Sequence, residues 1–250
     1  MAGQHADAAS GYDRGVRRQP GRQLDTFLRD PEAGYALGVA CRTNRTGLRT
    51  LAARSGWCVS GSKRGKWPAP MRRIVILGNA GSGKSTLARA LGERLALPVV
   101  HLDRLFWEAG WTKAEPRLFR ERVRDALSGD AWICEGNYSS QTFELRLPRA
   151  DIVIWLDTPR TTCLARVLWR SILNRPRPDL PDGCTEKLDA EFLGFLRYVW
   201  AFDRDKRPQI ERERIATAAH VPVVYLRDVG QSSAFVNAAS VGQGGAGRAR

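Results

Sequence analysis

The chain reads as an α/β protein: a doubly wound, parallel, five-stranded sheet with helices on both faces and a small helical lid. Three observations predict this. Five short runs, apolar on both faces, recur between residues 73 and 226, as the strands of a buried parallel sheet require. Helical patterns fill the gaps between them, which calls for right-handed crossovers. The first run passes through a glycine-rich loop directly into a helix.

That first unit is "RRIVILGNAGSGKSTLARAL", residues 72–91. The apolar run 73–77 predicts a strand, and 84–96 a helix that Pro98 ends. Gly78, Gly81 and Gly83 remove the side chains that would hold the backbone away from an anion. Amide groups of such a loop form an anion nest, and the helix N-terminus adds partial positive charge. The spacing Gly78-x-x-x-x-Gly83-Lys84-Ser85 is the full P-loop pattern in its strand–loop–helix setting. The fold class thereby sharpens to a P-loop NTPase. Gly78, Asn79, Ala80, Gly81, Ser82, Gly83, Lys84, Ser85 and Thr86 are expected to hold a nucleoside triphosphate. Lys84 would reach its β- and γ-phosphates, and the Ser85 hydroxyl would ligate Mg²⁺. ATP and Mg²⁺ are the expected cofactors.

Further strands are predicted at 99–102, 131–134, 151–156 and 222–226. Helices are predicted at 116–128, 160–173 and, longer, around 185–216. Asp157 or Thr158 is placed to cap the helix that Pro159 begins. Ligands of such sheets bind beyond the carboxyl ends of the strands. The segments there are "DRLFW" (103–107), "EGNY" (135–138) and "DTPR" (157–160).

Phosphoryl transfer needs positioning, charge neutralisation and a group that orients the nucleophile. Asp103 ends the second strand, expected beside the P-loop, and either accepts the proton of an acceptor hydroxyl or caps a helix. Glu135 ends the third strand, where a carboxylate holds waters of a Mg²⁺ shell; the other reading is a surface glutamate. Asp157 reads as a cap rather than a catalytic group. Arg166 and Arg170 share a helical face, with Arg175 and Arg177 in the proline-broken stretch beyond. Such cations either spread over a triphosphate or line a solvated helix. Phe106, Trp107 and Trp111 either stack an acceptor ring or fill the core.

Bulk properties bound the rest. The 250 residues are 43% hydrophobic, enough for a sizeable core. No apolar run approaches 18 residues, so no membrane partner is expected. Five cysteines without C-x-x-C spacing fit a reducing compartment, and a cytoplasmic location is expected. The net charge of +14 divides evenly, +7 on residues 1–70 and +7 on 71–250.

Residues 1–70 show neither helical nor alternating period and are expected to be a disordered or misassigned N-terminal extension. Met71 is the only methionine after Met1 and stands directly before the first strand, so the functional protein is expected to start there. The P-loop domain is placed at 71–230, its lid at about 170–190, and a flexible C-terminal tail at 231–250.

Four blocks carry a resemblance: "GNAGSGKSTLARALGERLALPVVHLDRLFWEAGW", "WICEGNY", "DIVIWLDTPR" and "RPRPDLPDGCTEKLDAEFLGFLRYVW". In this order, over about 71–228, they resemble the bacterial adenylate-kinase-like P-loop proteins labelled DNA topology modulation proteins, of FlaR-like type. The resemblance implies a nucleoside- and nucleotide-kinase-like core with a mobile lid, in a wider group that contains adenylate, shikimate and gluconate kinases. Glu135-Gly136 occupies the place where adenylate kinases have Asp-Gly before Phe-Pro-Arg. Asn137-Tyr138 follows here, so the arginine that grips an acceptor phosphate is missing and AMP is disfavoured as acceptor.

The expected function is transfer of the ATP γ-phosphate to a small acceptor, whether nucleotide, nucleoside or another hydroxyl compound. Lys84, Asp103, Arg166 and Arg170 are the expected catalytic group, and Ser85 with Glu135 the metal site. The alternative is a nucleotide-dependent regulator of DNA topology, although no helix-turn-helix or zinc motif marks a DNA-binding element. A monomer or weak dimer is expected.

Overall fold

The structure, a computed structural model, describes residues 58–60, 71–173, 181 and 189–241. In chain order its strands are β1 (Cys58–Ser60), β2 (Arg73–Gly78), β3 (Val99–His101), β4 (Trp107–Glu108), β5 (Thr112–Lys113), β6 (Trp132–Glu135), β7 (Ile152–Leu156) and β8 (Val223–Leu226). The α-helices are α1 (Lys84–Leu95), α2 (Leu102–Phe106), α3 (Pro116–Ala126), α4 (Ser139–Arg146), α5 (Arg160–Ile172), α6 (Ala190–Asp205), α7 (Arg207–Ala218) and α8 (Val229–Val241). All lie in one of the chain's two units, Thr46–Arg250.

The main sheet runs β1-β8-β7-β2-β6-β3, with β4 and β5 forming a separate hairpin. Its four parallel pairings follow the sequence expectation: β2 pairs with β6 and β7, β3 with β6, and β7 with β8. Alternation along these strands explains why helices cover both faces. Ile74 and Ile76, with Ile152 and Ile154, pack on one face against Leu87 and Leu91 of α1 and Phe235 of α8. Val75 and Leu77, with Val153 and Trp155, pack on the other against Phe119, Phe143, Phe202 and Ile210. A third cluster, Cys163, Val167, Phe192 and Val199, joins α5 to α6 beside Ala80.

Several expectations are corrected. β3 is the sheet edge, so Asp103 is not beside the P-loop strand; β6, which ends in Glu135, holds that place. Asp103 itself lies in α2 rather than at a strand end. Within the stretch expected to be disordered, β1 pairs antiparallel with β8. Residues 229–241, most of them assigned to a flexible tail, form α8, with Phe235 and Ala239 buried. That segment, "VGQSSAFVNAASV", carries no charge, and its Gln, Ser and Asn residues are mixed with small apolar ones, so no apolar stripe stood out to reveal it. The long helix around 185–216 is two: Pro208 cannot donate a backbone hydrogen bond, and the chain breaks at Lys206. The short helices α2 and α4 and the β4–β5 hairpin went unpredicted. The lid at about 170–190 lies mostly outside the described residues.

Candidate active site at the phosphate loop

The loop after β2 is shaped by what presses against it. Gly81 has φ +76°, and a Cβ there would lie 2.4 Å from the Cys163 carbonyl oxygen of α5. Only glycine fits a backbone that is both left-handed and touched from behind. Gly83 is the N-cap of α1, and neither a capping side chain nor a first-turn acid occupies that helix end. The contrast with α3 and α6 is direct, since Glu115 and Asp189 cap those helices with their own carboxylates. The amides opening α1 are therefore left to an anion from outside. Ser82 Oγ is buried beside the loop with no hydrogen-bond partner, a donor that suits a phosphate oxygen.

Lys84 lies back across the loop, its Nζ donating to Asn79 O at 2.9 Å. Thr86, one residue beyond Ser85, is exposed on α1. Asn79 and Ala80 face α6: the Asn79 amide donates to Val199 O at 2.8 Å. Arg166 reaches over from α5, donating to Ser82 O at 3.1 Å, and Thr158 Oγ1 donates to the same carbonyl at 3.1 Å. Arg170 stands one turn further along α5, partly buried. Asp157 does not cap α5, whose N-cap is Pro159. Instead Asp157 pairs with Arg207 at 2.6 Å.

The expected metal pair meets. Ser85 Oγ donates to Glu135 Oε1 at 3.0 Å. Glu135 is 1% exposed, which excludes the surface reading. The sheet register sets His101 beside Glu135 on neighbouring strands, and His101 Nδ1 lies 2.8 Å from the same carboxylate oxygen. A hydroxyl and a buried carboxylate at the mouth of a phosphate loop are hard oxygen donors of the kind Mg²⁺ prefers. Among the described residues no three His, Cys, Asp or Glu side chains gather into a metal cluster. Mg²⁺ needs none, because phosphates and waters complete its shell.

On the far side, Asp103 Oδ1 accepts the Tyr138 hydroxyl at 2.7 Å. Asp103 is not the N-cap of α2; His101 is. Burial pushes the Tyr138 phenol far up, and the Asp103 carboxylate adds to the shift. Tyr198 of α6 is pushed up by burial and then by Asp103 as well. Both phenols stay neutral. Of the aromatic trio, Phe106 packs on the core while Trp107 and Trp111 meet each other at 5.3 Å, partly accessible.

Three residues that sequence reasoning did not single out hold this side in place. Asn137 clasps the loop backbone, accepting from Gly78 N at 3.2 Å and donating to Gly78 O at 2.9 Å. Arg146 is fully buried. It donates to Gly136 O at 2.7 Å, to Asn137 O, and to Thr142 Oγ1 at 3.1 Å. Burial pulls its pKa down. Tyr138 has φ 34°, unusual for a residue with a Cβ. "EGNY" reads as a strand end, but nothing in "LRLPRAD" distinguishes the buried Arg146 from the more accessible Arg149.

No protein-family model matches the chain. Over 158 residues the chain is 35% identical to a shikimate kinase of Symbiobacterium thermophilum, a match spanning 58% of this chain and 86% of that protein. Among solved structures, shikimate kinase from Acinetobacter baumannii in complex with shikimate is 20% identical, with a TM-score of 0.41, covering 68% of this chain and 90% of its own. Deoxyadenosine kinase from M. mycoides with bound dCTP is 16% identical, with a TM-score of 0.38, covering 66% and 97%. These structural likenesses are slight, and kinship rests on the sequence match. At that identity, over most of the relative's length, the chain belongs to the shikimate kinase family of P-loop proteins.

Proposed function

We propose that the protein is an ATP-dependent phosphotransferase that moves the γ-phosphate to a hydroxyl of a small molecule. The observation that carries this reading is the convergence at one loop of Lys84, an unblocked helix N-terminus, and Ser85 hydrogen-bonded at 3.0 Å to a buried Glu135. Ser85 and Glu135 would hold Mg²⁺, which neutralises charge on the β- and γ-phosphates when bound. Lys84 and the α1 amides position the triphosphate, and Arg166 and Arg170 offset the charge that spreads over the transferring group. Asp103 orients the acceptor hydroxyl and takes its proton as the oxygen bonds to the γ-phosphorus and ADP departs. The Tyr138 hydroxyl fixes the Asp103 rotamer for that role.

The finer assignments rest on sequence alone. The sequence blocks at 78–111, 132–138, 151–160 and 175–200 support kinship with bacterial adenylate-kinase-like topology-modulation proteins, and the scattered cysteines support a cytoplasmic location. Residues 71–230 are the proposed catalytic domain. No helix among the described residues is long and apolar enough to cross a membrane.

The test compares ATP binding and acceptor-dependent turnover in the parent, Lys84→Ala and Asp103→Asn. Lys84→Ala is expected to lose about 10²-fold or more in turnover. Asp103→Asn is expected to keep ATP affinity and lose about 10²–10⁴-fold in turnover, the range for a positioned base. Near-parental turnover in Lys84→Ala would remove the P-loop assignment. Near-parental turnover in Asp103→Asn would reduce that residue to a structural partner of Tyr138.

A further inference from the structure

We infer that His101 is a positioning residue for Mg²⁺: its ring fixes the Glu135 carboxylate in the orientation that serves the ion. The inference rests on the phosphotransferase reading above, in which Ser85 and Glu135 take Mg²⁺, and adds the group that holds this pair in place.

Sheet register brings the side chains together. His101 closes β3 and Glu135 closes β6, and the two are register partners on neighbouring parallel strands. Side chains alternate between the faces of a strand. Val99 and Ile133, two residues earlier on each strand, pack with Leu87 and Leu91 of α1. His101 and Glu135 therefore fall on that same face, where α1 opens with Lys84 and Ser85. Ser85 Oγ donates to Glu135 Oε1 at 3.0 Å, and His101 Nδ1 lies 2.8 Å from the same oxygen.

The donors and acceptors assign the roles. A carboxylate oxygen offers the imidazole only lone pairs, so Nδ1 carries the hydrogen of this second bond. A hydroxyl has one hydrogen and two lone pairs, so Ser85 can donate to Glu135 and still offer a lone pair to Mg²⁺. Both bonds fall on Oε1, and neither uses Oε2. One donor leaves a glutamate carboxylate free to swivel about its own torsions; two donors from different elements pin it. The His101 ring is 12% exposed and the Glu135 side chain 2%, so bulk water is a poor substitute for a lost donor.

Helix α2 gives no competing reason for a histidine here. His101 is its N-cap residue, a place that favours Ser, Thr, Asp or Asn, and the side chain makes no capping bond. The ring turns across the sheet to Glu135 instead. Partners that orient a metal's ligands without touching the metal typically carry about 10–100-fold of its affinity.

The test uses the full chain with a non-hydrolysable ATP analogue and Mn²⁺, a paramagnetic stand-in for Mg²⁺. His101→Leu is expected to raise the Mn²⁺ Kd of the protein–analogue complex about 10–100-fold. Its analogue Kd in EDTA should stay within about twofold of the parent, which also reports that it folds. His101→Asn sets an amide N–H close to the place of Nδ1–H and should recover most of the lost Mn²⁺ affinity. An unchanged Mn²⁺ Kd in His101→Leu overturns the inference. So does an equal loss of metal-free analogue binding, the mark of a merely structural role, or an Asn variant no better than Leu. In the parent, the His101 Nδ1–H signal in NMR, identified by its loss in His101→Asn, should persist when Mg²⁺ and the analogue bind. Its disappearance on loading overturns the inference even where His101→Leu does not fold. Absence of analogue binding by the parent, with or without metal, overturns the phosphotransferase reading instead.

Discussion

Gly81 and Cys163 meet where α5 presses on the phosphate loop, and each tests the contact differently. An alanine at 81 must hold φ +76° with its Cβ 2.4 Å from a carbonyl oxygen. Left-handed backbone alone costs about 1–2 kcal/mol, and the clash forces the loop or α5 to shift. Gly81→Ala is therefore expected to lower Tm by several degrees, at about 2–4 °C per kcal/mol for a domain of this size. ATP affinity should fall with it, by titration calorimetry; a variant with parental Tm and affinity would show that α5 does not press on the loop. Burial pushes the Cys163 thiol up to about 11, against the pull of Lys84 and Arg166. A thiol whose pKa is raised on folding adds stability below its unfolded pKa and loses that contribution as pH climbs through the folded value. Around pH 8 it is neutral and enclosed, so alkylating reagents should spare Cys163 and the buried Cys134 until denaturant is added. Peptide mapping by mass spectrometry checks this, and rapid labelling of either in the native protein would contradict it. At this scale the phosphate-binding residues were legible because glycine and lysine spacing encodes a local structure. His101, Asn137 and Tyr198 were not, because their roles come from register and from helices distant in sequence.

Helix α4 has eight residues, yet it orders one wall of the site through Arg146. The guanidinium donates to the carbonyls of Gly136 and Asn137, and that short segment carries Asn137 onto the P-loop and Tyr138 onto Asp103. Arg146→Met keeps an apolar stem of similar length but strands two carbonyls without donors. Each buried unsatisfied group costs about 1–3 kcal/mol, so the expected loss is about 2–5 kcal/mol and Tm falls by roughly 5–15 °C. Acceptor KM should rise more than ATP Kd, since the clasp on the acceptor side loosens before the loop itself does. A variant with unchanged Tm would mean the buried charge costs as much as its hydrogen bonds return, as buried ion groups sometimes do. The five parallel strands were readable because each is apolar on both faces. α4 was not: one polar–apolar turn in "SSQTFELR" is too short to show a period, and tertiary contacts alone make it helical.

At the scale of the molecule, everything the proposed chemistry uses lies between Gly78 and Tyr198, and the two faces of the sheet are covered by α1 and α8 on one side and by α2, α3, α4, α6 and α7 on the other. One described element lies before Met71: β1, three residues paired antiparallel along the edge of β8. Its pairing adds hydrogen bonds to β8, but β8 is already buried by Val223, Val224 and Leu226 on its two faces. Two truncations separate these contributions. A chain of residues 58–250 keeps β1 and is expected to match the full chain in ATP affinity within about twofold. A chain of residues 71–250 leaves the outer edge of β8 unpaired, which invites intermolecular pairing. A few lost backbone hydrogen bonds, at about 0.5–1.5 kcal/mol net each, should lower its Tm by several degrees. Its ATP affinity should nevertheless stay parental, because β7 lies between β8 and the strand that carries the phosphate loop, and Glu135 ends β6, one strand further still. Scanning calorimetry and nucleotide titration on the three chains decide the matter. Loss of ATP binding in 58–250 would place a binding contribution before residue 58, and identical Tm in 58–250 and 71–250 would make β1 dispensable to the sheet.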